Sequence, residues 1–272
     1  MDKCSTRQFS VITPPIASEA SNKPSMRIIG CGHAGSSAYT YSIWKNYLPE
    51  KVSHVSVTLP GWYCVEQKGC DFDLEIDDLE SYCKKVLEEL VALPPVPIVI
   101  FGTSFGSLVA HCLAGQLLQS PIKHQVLGVI LTARQAPDRN RPLRYLSHLP
   151  ANEISAEIIA TIGVPGNVPI VNDYRSFGKA LRCDLALDET FSSKKTQKIL
   201  DTRLITIAPL QDIVPVQDVH AWGAFYSTHA LSLTLNKGHF FAIEQPHLVI
   251  EAAMFFLPKT PNINDMQRKI YD

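Results

Sequence analysis

The stretch that most constrains this chain runs from Pro97 to Ala114, PIVIFGTSFGSLVAHCLA. A short apolar run rich in Val and Ile, Pro97 to Phe101, meets Gly102-Thr103-Ser104-Phe105-Gly106. After it, Leu108, Val109, Cys112 and Leu113 recur on one side of a helix. The period changes at the glycines, so the stretch reads as strand, sharp turn and helix with Ser104 at the apex. Strand and helix approach closely there, and a Cβ at position 102 or 106 would collide. Ser104 is then held in a strained conformation, its hydroxyl facing out of the sheet edge above a helix N-terminus. G-x-S-x-G occurs often by chance; the buried-type strand before it and the helix after it give it weight.

Other apolar runs supply the rest of a sheet. Arg27 to Cys31 is a short strand that breaks into Gly32-His33-Ala34-Gly35-Ser36-Ser37, after which Tyr39, Ile43, Trp44 and Tyr47 recur at helical spacing until Leu48-Pro49. His54 to Leu59 alternates as a strand and ends at Pro60-Gly61, and Asp71 to Leu90 reads as a helix whose acids crowd its N-terminal end. Gln125 to Thr132, Arg203 to Ala208 and His229 to Leu235 are further strands, and a last helix spans His247 to Phe256. Strands alternating with helices imply an α/β chain, with a mostly parallel sheet covered by helices on both faces.

The alternation fails between Arg134 and Phe191, where helical pieces replace strands. Asn152 to Ile162, opened by an Asn cap, is one; the stretch through Tyr174, Phe177, Ala180 and Leu181 is another. A helical insertion beside the edge that carries the serine is expected to act as a lid that shapes a pocket and excludes water. The expected organisation is a tail over residues 1–25, a core of 26–133 and 200–260, a lid over 134–199 and a C-terminal tail over 261–272. The lid opens with Arg134, Arg139, Arg141 and Arg144 against a single Asp138. Such a cluster is either a solvated loop or a docking surface for something anionic.

Composition narrows the function classes. A net charge of −1 gives no reason to expect nucleic acid or an anionic membrane as partner. No apolar run approaches the roughly 20 residues that span a bilayer. The seven cysteines show no C-x-x-C and no metal-ligand spacing, which favours reduced thiols in the cytoplasm and no bound metal. Cys112, on the elbow helix, reads as a small core residue.

Two residues complete a constellation with Ser104. Asp212 and His239 each follow a late strand, at the same sheet edge as the serine, and the order Ser, Asp, His is that of α/β-hydrolases. Asp218, Asp184, Asp188, His220, His229 and His247 have less suitable neighbourhoods, and His33 reads as a loop or substrate-side residue. The glycine-bearing loop at 32–37 exposes backbone N–H groups. The N–H of Ala34 is the candidate to hold an oxyanion, paired with that of Phe105 directly after the nucleophile.

From Ile28 to Leu257 the chain resembles the type II (editing) thioesterases of nonribosomal peptide and polyketide synthetases. The resemblance rests on His33-Ala34-Gly35 with Tyr41 and Trp44, Leu59-Pro60-Gly61, the elbow at Ser104 and Arg134-Gln135-Ala136-Pro137. It continues through Leu181-Arg182-Cys183-Asp184-Leu185, Asp212-Ile213-Val214, Trp222 and Gly238-His239-Phe240-Phe241. It departs at Thr103 and Phe105 around the serine, at Ser36, at Trp62-Tyr63-Cys64 and at Lys237. The resemblance implies an α/β-hydrolase fold and hydrolysis of acyl groups held as thioesters on the phosphopantetheine arm of a carrier protein. It carries over Ser104, Asp212 and His239 as a triad with Ala34 and Phe105 as oxyanion donors, and implies no cofactor beyond the arm the substrate brings. Two alternatives stand beside it: transfer of the acyl group to a non-water acceptor, giving a cyclic or transferred product, and a non-catalytic binding module.

Overall fold

Buried strands with apolar side chains on both faces require a helical layer on each side, and the sheet follows that rule. A computed structural model describes residues 10–17, 24–68, 79–163, 174–191 and 200–257. Its strands are β1 (Ile16–Ala17), β2 (Met26–Cys31), β3 (Val52–Val57), β4 (Ile98–Thr103), β5 (Val126–Thr132), β6 (Leu200–Gln211) and β7 (Tyr226–Gly238). They form one sheet in the order β1-β3-β2-β4-β5-β6-β7, with β1 antiparallel to β3 and every other neighbouring pair parallel.

Alternate residues of each strand serve opposite cores. Ile98 and Ile100 join the layer with Leu108, Val109 and Leu113 of α3 (Phe105–Leu117) and Tyr82, Val86 and Leu90 of α2 (Leu79–Val91). Val99 and Phe101 join the other layer, with Trp44, Val249 and Ala253. Trp44 lies in a 3-10 helix, Ala38–Asn46, and Val249 and Ala253 in α8 (Pro246–Met254). That 3-10 geometry explains which aromatics are buried. With three residues per turn, Ala38, Tyr41 and Trp44 stack on one side, whereas Tyr39 and Tyr47 of the expected helical set face solvent. The Trp44 indole N–H donates to the carbonyl of Ala242 at 3.0 Å, tying this element to the segment after β7.

Several boundaries differ from those expected. Residues 10–17, read as part of a loose tail, extend the sheet edge. Val11 and Ile12 are buried, Thr13 N–H donates to Ser56 O at 2.9 Å, and Val11 N–H donates to the Glu89 carboxylate at 2.9 Å. A β-branched triplet, Val11-Ile12-Thr13, is enough to cover an exposed strand edge within a Ser/Pro-rich segment. Pro60-Gly61 does not close a strand but opens α1 (Pro60–Lys68), where proline loses nothing by lacking an N–H. Residues 69–78, the first part of the expected acidic helix, lie outside the described residues.

Two helices, α4 (Ala151–Ile162) and α5 (Tyr174–Thr190), are inserted between β5 and β6. Pro150, not Asn152, occupies the N-cap of α4, and Asn152 is exposed in its first turn. Leu146, Ile154, Leu181 and Leu185 form a small core beneath these helices, and Ala34 and Phe177 pack against it. The short helices α6 (Val216–His220) and α7 (Phe241–Glu244) follow β6 and β7. Among the described residues no helix is long and apolar enough to cross a membrane.

Candidate active site

The site lies where the chain reverses its order across the sheet. β2 and β4 are neighbours, but the chain visits β3 between them, and such a switch point leaves a crevice beyond the strands' C-terminal ends. The loop after β2 and the turn after β4 therefore face each other.

Glycine makes the turn possible. A Cβ on Gly102 would lie 2.4 Å from Gly106 O, and one on Gly106 would lie 2.1 Å from Gly32 O and 2.2 Å from Cys31 O. Gly106 thus lets the first turn of α3 rest directly on the backbone of the β2 loop. Between the glycines, Ser104 has φ 54° and ψ −131°, a conformation that L residues avoid and that costs about 1–3 kcal/mol. Its N–H donates to Thr132 O at 3.0 Å, and the Ser107 hydroxyl bonds Thr132 O at 2.8 Å and Gly102 O at 3.0 Å. Ser104 begins α3 without using its hydroxyl as a cap, so Oγ is not spent on the helix.

Register brings the next two residues together. Gln211 and Gly238 are partners at the ends of β6 and β7, so Asp212 and His239, the residues that follow, emerge side by side. Nδ1 of His239 lies 2.9 Å and 3.0 Å from the two carboxylate oxygens of Asp212. The Asp212 side chain is fully buried, and that of His239 is 5% exposed. Asp212 also accepts the Val214 N–H at 3.4 Å. A carboxylate at Nδ1 fixes the tautomer that leaves Nε2 as the basic nitrogen. Nε2 is buried and has no hydrogen-bond partner, Ser104 included, among the described residues.

His33 also reaches this site. Phe240 stands edge-to-face with both His33 and His239, each pair with centroids 5.0 Å apart. Burial, and then the charge of His239, push the His33 imidazole down to about 3. His33 therefore stays neutral at physiological pH and does not compete as a base.

The rival acids and bases are occupied elsewhere. Asp188 pairs with Arg134 at 2.6 Å and with Arg141. Thr206 Oγ1 bonds His220 at 2.8 Å and His229 at 3.0 Å, and the His247 ring stacks on Tyr47. The arginine cluster does not act as one surface. Arg134 and Arg141 turn inward onto Asp188, with side chains 9% and 16% exposed, and bind the segment after β5 to α5. Arg139 and Arg144, paired with Asp138 at 3.7 Å and Glu157 at 2.8 Å, are the two whose side chains are largely exposed. Of the four arginines offered as a solvated loop or a docking face, buried Asp188 therefore draws Arg134 and Arg141 inward and leaves Arg139 and Arg144 at the surface.

Among the described residues no group of three or more His, Cys, Asp or Glu side chains could hold a metal ion, and no cysteine forms a disulfide. The arrangement is suited to nucleophilic acyl transfer: a strained serine, a buried imidazole held by a carboxylate, and backbone N–H groups nearby.

A model of the thioesterase domain family matches residues 26–254. The chain belongs to this family. Solved structures of similar fold include the type II thioesterase BorB from the borrelidin biosynthetic cluster, at 23% identity and TM-score 0.73 over 86% of this chain and 93% of that one. YbtT, a type II thioesterase from the yersiniabactin NRPS/PKS pathway, matches at 22% identity and TM-score 0.72, over 91% of this chain and 98% of that one. RedJ, a thioesterase from the prodiginine pathway in Streptomyces coelicolor, matches at 20% identity and TM-score 0.67 over 86% of each chain. At these identities the likeness establishes the fold, that of α/β-hydrolase thioesterases. No curated protein sequence matches the chain significantly.

One residue beside this candidate site has a role that the expectations from sequence did not include. Asp184, set aside as a catalytic acid and counted within the Leu181–Leu185 segment of the resemblance but given no role, is fully buried and accepts the N–H of Gly35 at 2.9 Å and of Gly61 at 2.8 Å. The signal was present: Asp184 falls on the same stripe of α5 as Ala180, Leu181 and Leu185, and an acid on a buried stripe requires a polar partner.

Proposed function

We propose that the chain is a serine thioesterase that hydrolyses acyl groups from the phosphopantetheine arm of carrier proteins in polyketide or nonribosomal peptide assembly. The observation that carries this reading is the buried Asp212–His239 pair, its Nε2 unpartnered, at the sheet edge that holds the strained Ser104. Type II thioesterases of such pathways among the proteins of similar fold support the choice of substrate.

Nε2 of His239 removes the proton from Ser104 Oγ as the oxygen attacks the thioester carbonyl carbon. Asp212 keeps the ring oriented and stabilises its charged form. The N–H groups of Ala34 and Phe105 receive the oxyanion, each donor contributing about 3 kcal/mol by comparison with measured oxyanion-hole deletions. Collapse breaks the C–S bond, and the pantetheine sulfur leaves with the proton held by His239. Water then attacks the acyl-Ser104 carbonyl, delivering its proton to Nε2, and the free acid departs as Oγ regains a proton. No step calls for a metal or a redox cofactor. Neutral His33 and the ring of Phe240 keep a second charge away from the imidazolium.

The test offers carrier proteins loaded with short, long and aminoacyl groups and follows carrier and product by intact mass. Free acid and deacylated carrier are expected, lost in Ser104→Ala. A lactone, lactam or transferred acyl product would replace hydrolysis by a non-water acceptor, and full activity in Ser104→Ala would remove the mechanism.

A further inference from the structure

We propose that Asp184, on the lid helix α5, is a positioning residue that clamps the Ala34–Gly35 peptide, directly after the one carrying the Ala34 N–H, making the lid and the oxyanion loop one mechanical unit. The inference deepens the thioesterase reading above and rests on it.

The loop after β2 is fixed at three successive peptide planes. Ala34 N–H shares its peptide plane with the His33 carbonyl, and that carbonyl accepts the Ser36 N–H at 2.9 Å. The next plane ends in the Gly35 N–H, which Asp184 Oδ2 accepts at 2.9 Å. Beyond it, the Gly35 carbonyl accepts the Trp62 indole N–H at 2.7 Å. Gly35 is thus held on both sides by side chains of two helices, α5 and α1. Its φ of +75° suits glycine, and a Cβ there would lie 3.0 Å from Phe177 and 3.2 Å from Leu181 of the lid.

The same carboxylate sets the distance between the two helices. Oδ1 accepts the Gly61 N–H at 2.8 Å, and Gly61 packs so tightly on α5 that a Cβ would lie 2.0 Å from Ala180 O. Two N–H donors converge from different segments, and a carboxylate supplies one oxygen to each. An amide would accept one and oppose the other with its own N–H. No cation pairs with Asp184 among the described residues, so the charge is balanced by backbone dipoles alone. A buried carboxylate in that state stabilises the fold less than an apolar side chain of its size would. What it adds is control over the Gly35 peptide, and small misplacements near a reacting centre slow reactions by up to about 100-fold.

Titration supports this role. Burial raises the Asp184 carboxyl to about 7, against the two N–H bonds that favour its charged form. The titratable groups that sense its charge are the phenol of Tyr82 on α2 and the thiol of Cys183 on its own helix, both pushed up by their surroundings and neutral. Above pH 7 the carboxylate accepts both N–H groups; below it, a proton on one oxygen faces a donor.

The experiment measures single-turnover acylation of Ser104 by an acyl-carrier protein for the wild type, Asp184→Asn and Trp62→Phe between pH 6 and 8. Asp184→Asn is expected to be slower by roughly 10- to 100-fold at pH 8 with an unchanged half-saturating carrier concentration. The ratio of wild type to variant should fall toward one at pH 6, where the wild-type carboxyl carries a proton itself. Trp62→Phe, which loses one hydrogen bond but keeps an aromatic ring, should be slowed about threefold at every pH. Wild-type rates in Asp184→Asn at pH 8, or a ratio constant across pH, would overturn the clamp. If Asp184→Asn does not fold, a wild-type rate in Trp62→Phe overturns it and a slowed rate supports it. A wild-type protein that neither releases acyl groups nor reacts with a fluorophosphonate refutes the thioesterase reading instead.

Discussion

The serine turn and the loop opposite it stand at the ends of adjacent strands, β4 and β2, yet they are held by opposite means. The turn is backbone packed on backbone: Gly102 against Gly106, Gly106 against Cys31 and Gly32, with the Ser107 hydroxyl closing it. Nothing in that list carries a charge. The loop is held by side chains from distant helices, Asp184 and Trp62, and the segment beside it is tied down by Asp188 and Glu189. Backbone packing fixes a nucleophile without any dependence on pH. Side-chain links fix the surroundings, and at Asp184 a proton can loosen one of them.

The sharpest way to break this contrast is at Gly106. In Gly106→Ala the added carbon meets two backbone carbonyls that have no rotamer to escape into, so a loss of about 3 kcal/mol or more, or failure to fold, is expected in thermal denaturation. A folded, fully stable variant would mean that the turn is not packed as described.

On the lid side, Arg134→Met should lower stability by about 2–3 kcal/mol in denaturant titration, because Asp188 is left buried with Arg141 as its remaining partner. The same experiment on Asp184 has a sign that can be worked out. Its folded-state pKa, about 7, lies above the ordinary carboxyl value, so between about pH 4 and 7 the folded chain holds a proton that the unfolded chain has lost. This group's contribution to stability therefore falls as pH rises through that window, by up to about 1.4 kcal/mol per pH unit, and levels off above 7. Asp184→Asn should flatten the difference in stability between pH 5 and 7; an unchanged slope would assign it to other groups. At the small end, Arg139→Glu and Arg144→Glu should each alter stability by no more than about 0.5 kcal/mol, since their side chains are largely exposed.

What the sequence made legible follows the same division. The turn around Ser104 is local: two glycines, an apolar strand and an apolar helix within eighteen positions, each with a period that can be read directly. Asp212 and His239 were legible one step further, because each directly follows a strand end and the chain order narrows their roles. The lid's attachments were not. Arg134 and Arg141 stand beside one acid in sequence, Asp138, and look like a basic surface, while the acid that buries them, Asp188, lies 54 and 47 positions away. Asp184 and Gly35 are 149 positions apart, and nothing local to either names the other. Residues 10–17 failed for another reason: a short edge strand surrounded by serine and proline has too few positions to show alternation.

The central claim, that the Asp212–His239 pair activates Ser104, is tested most directly by the rate and position of covalent labelling with a fluorophosphonate. One label per chain is expected, mapped to the peptide containing Ser104, with the rate falling by about 1,000-fold or more in His239→Ala. Labelling at another residue, or an unchanged rate in His239→Ala, would contradict the account.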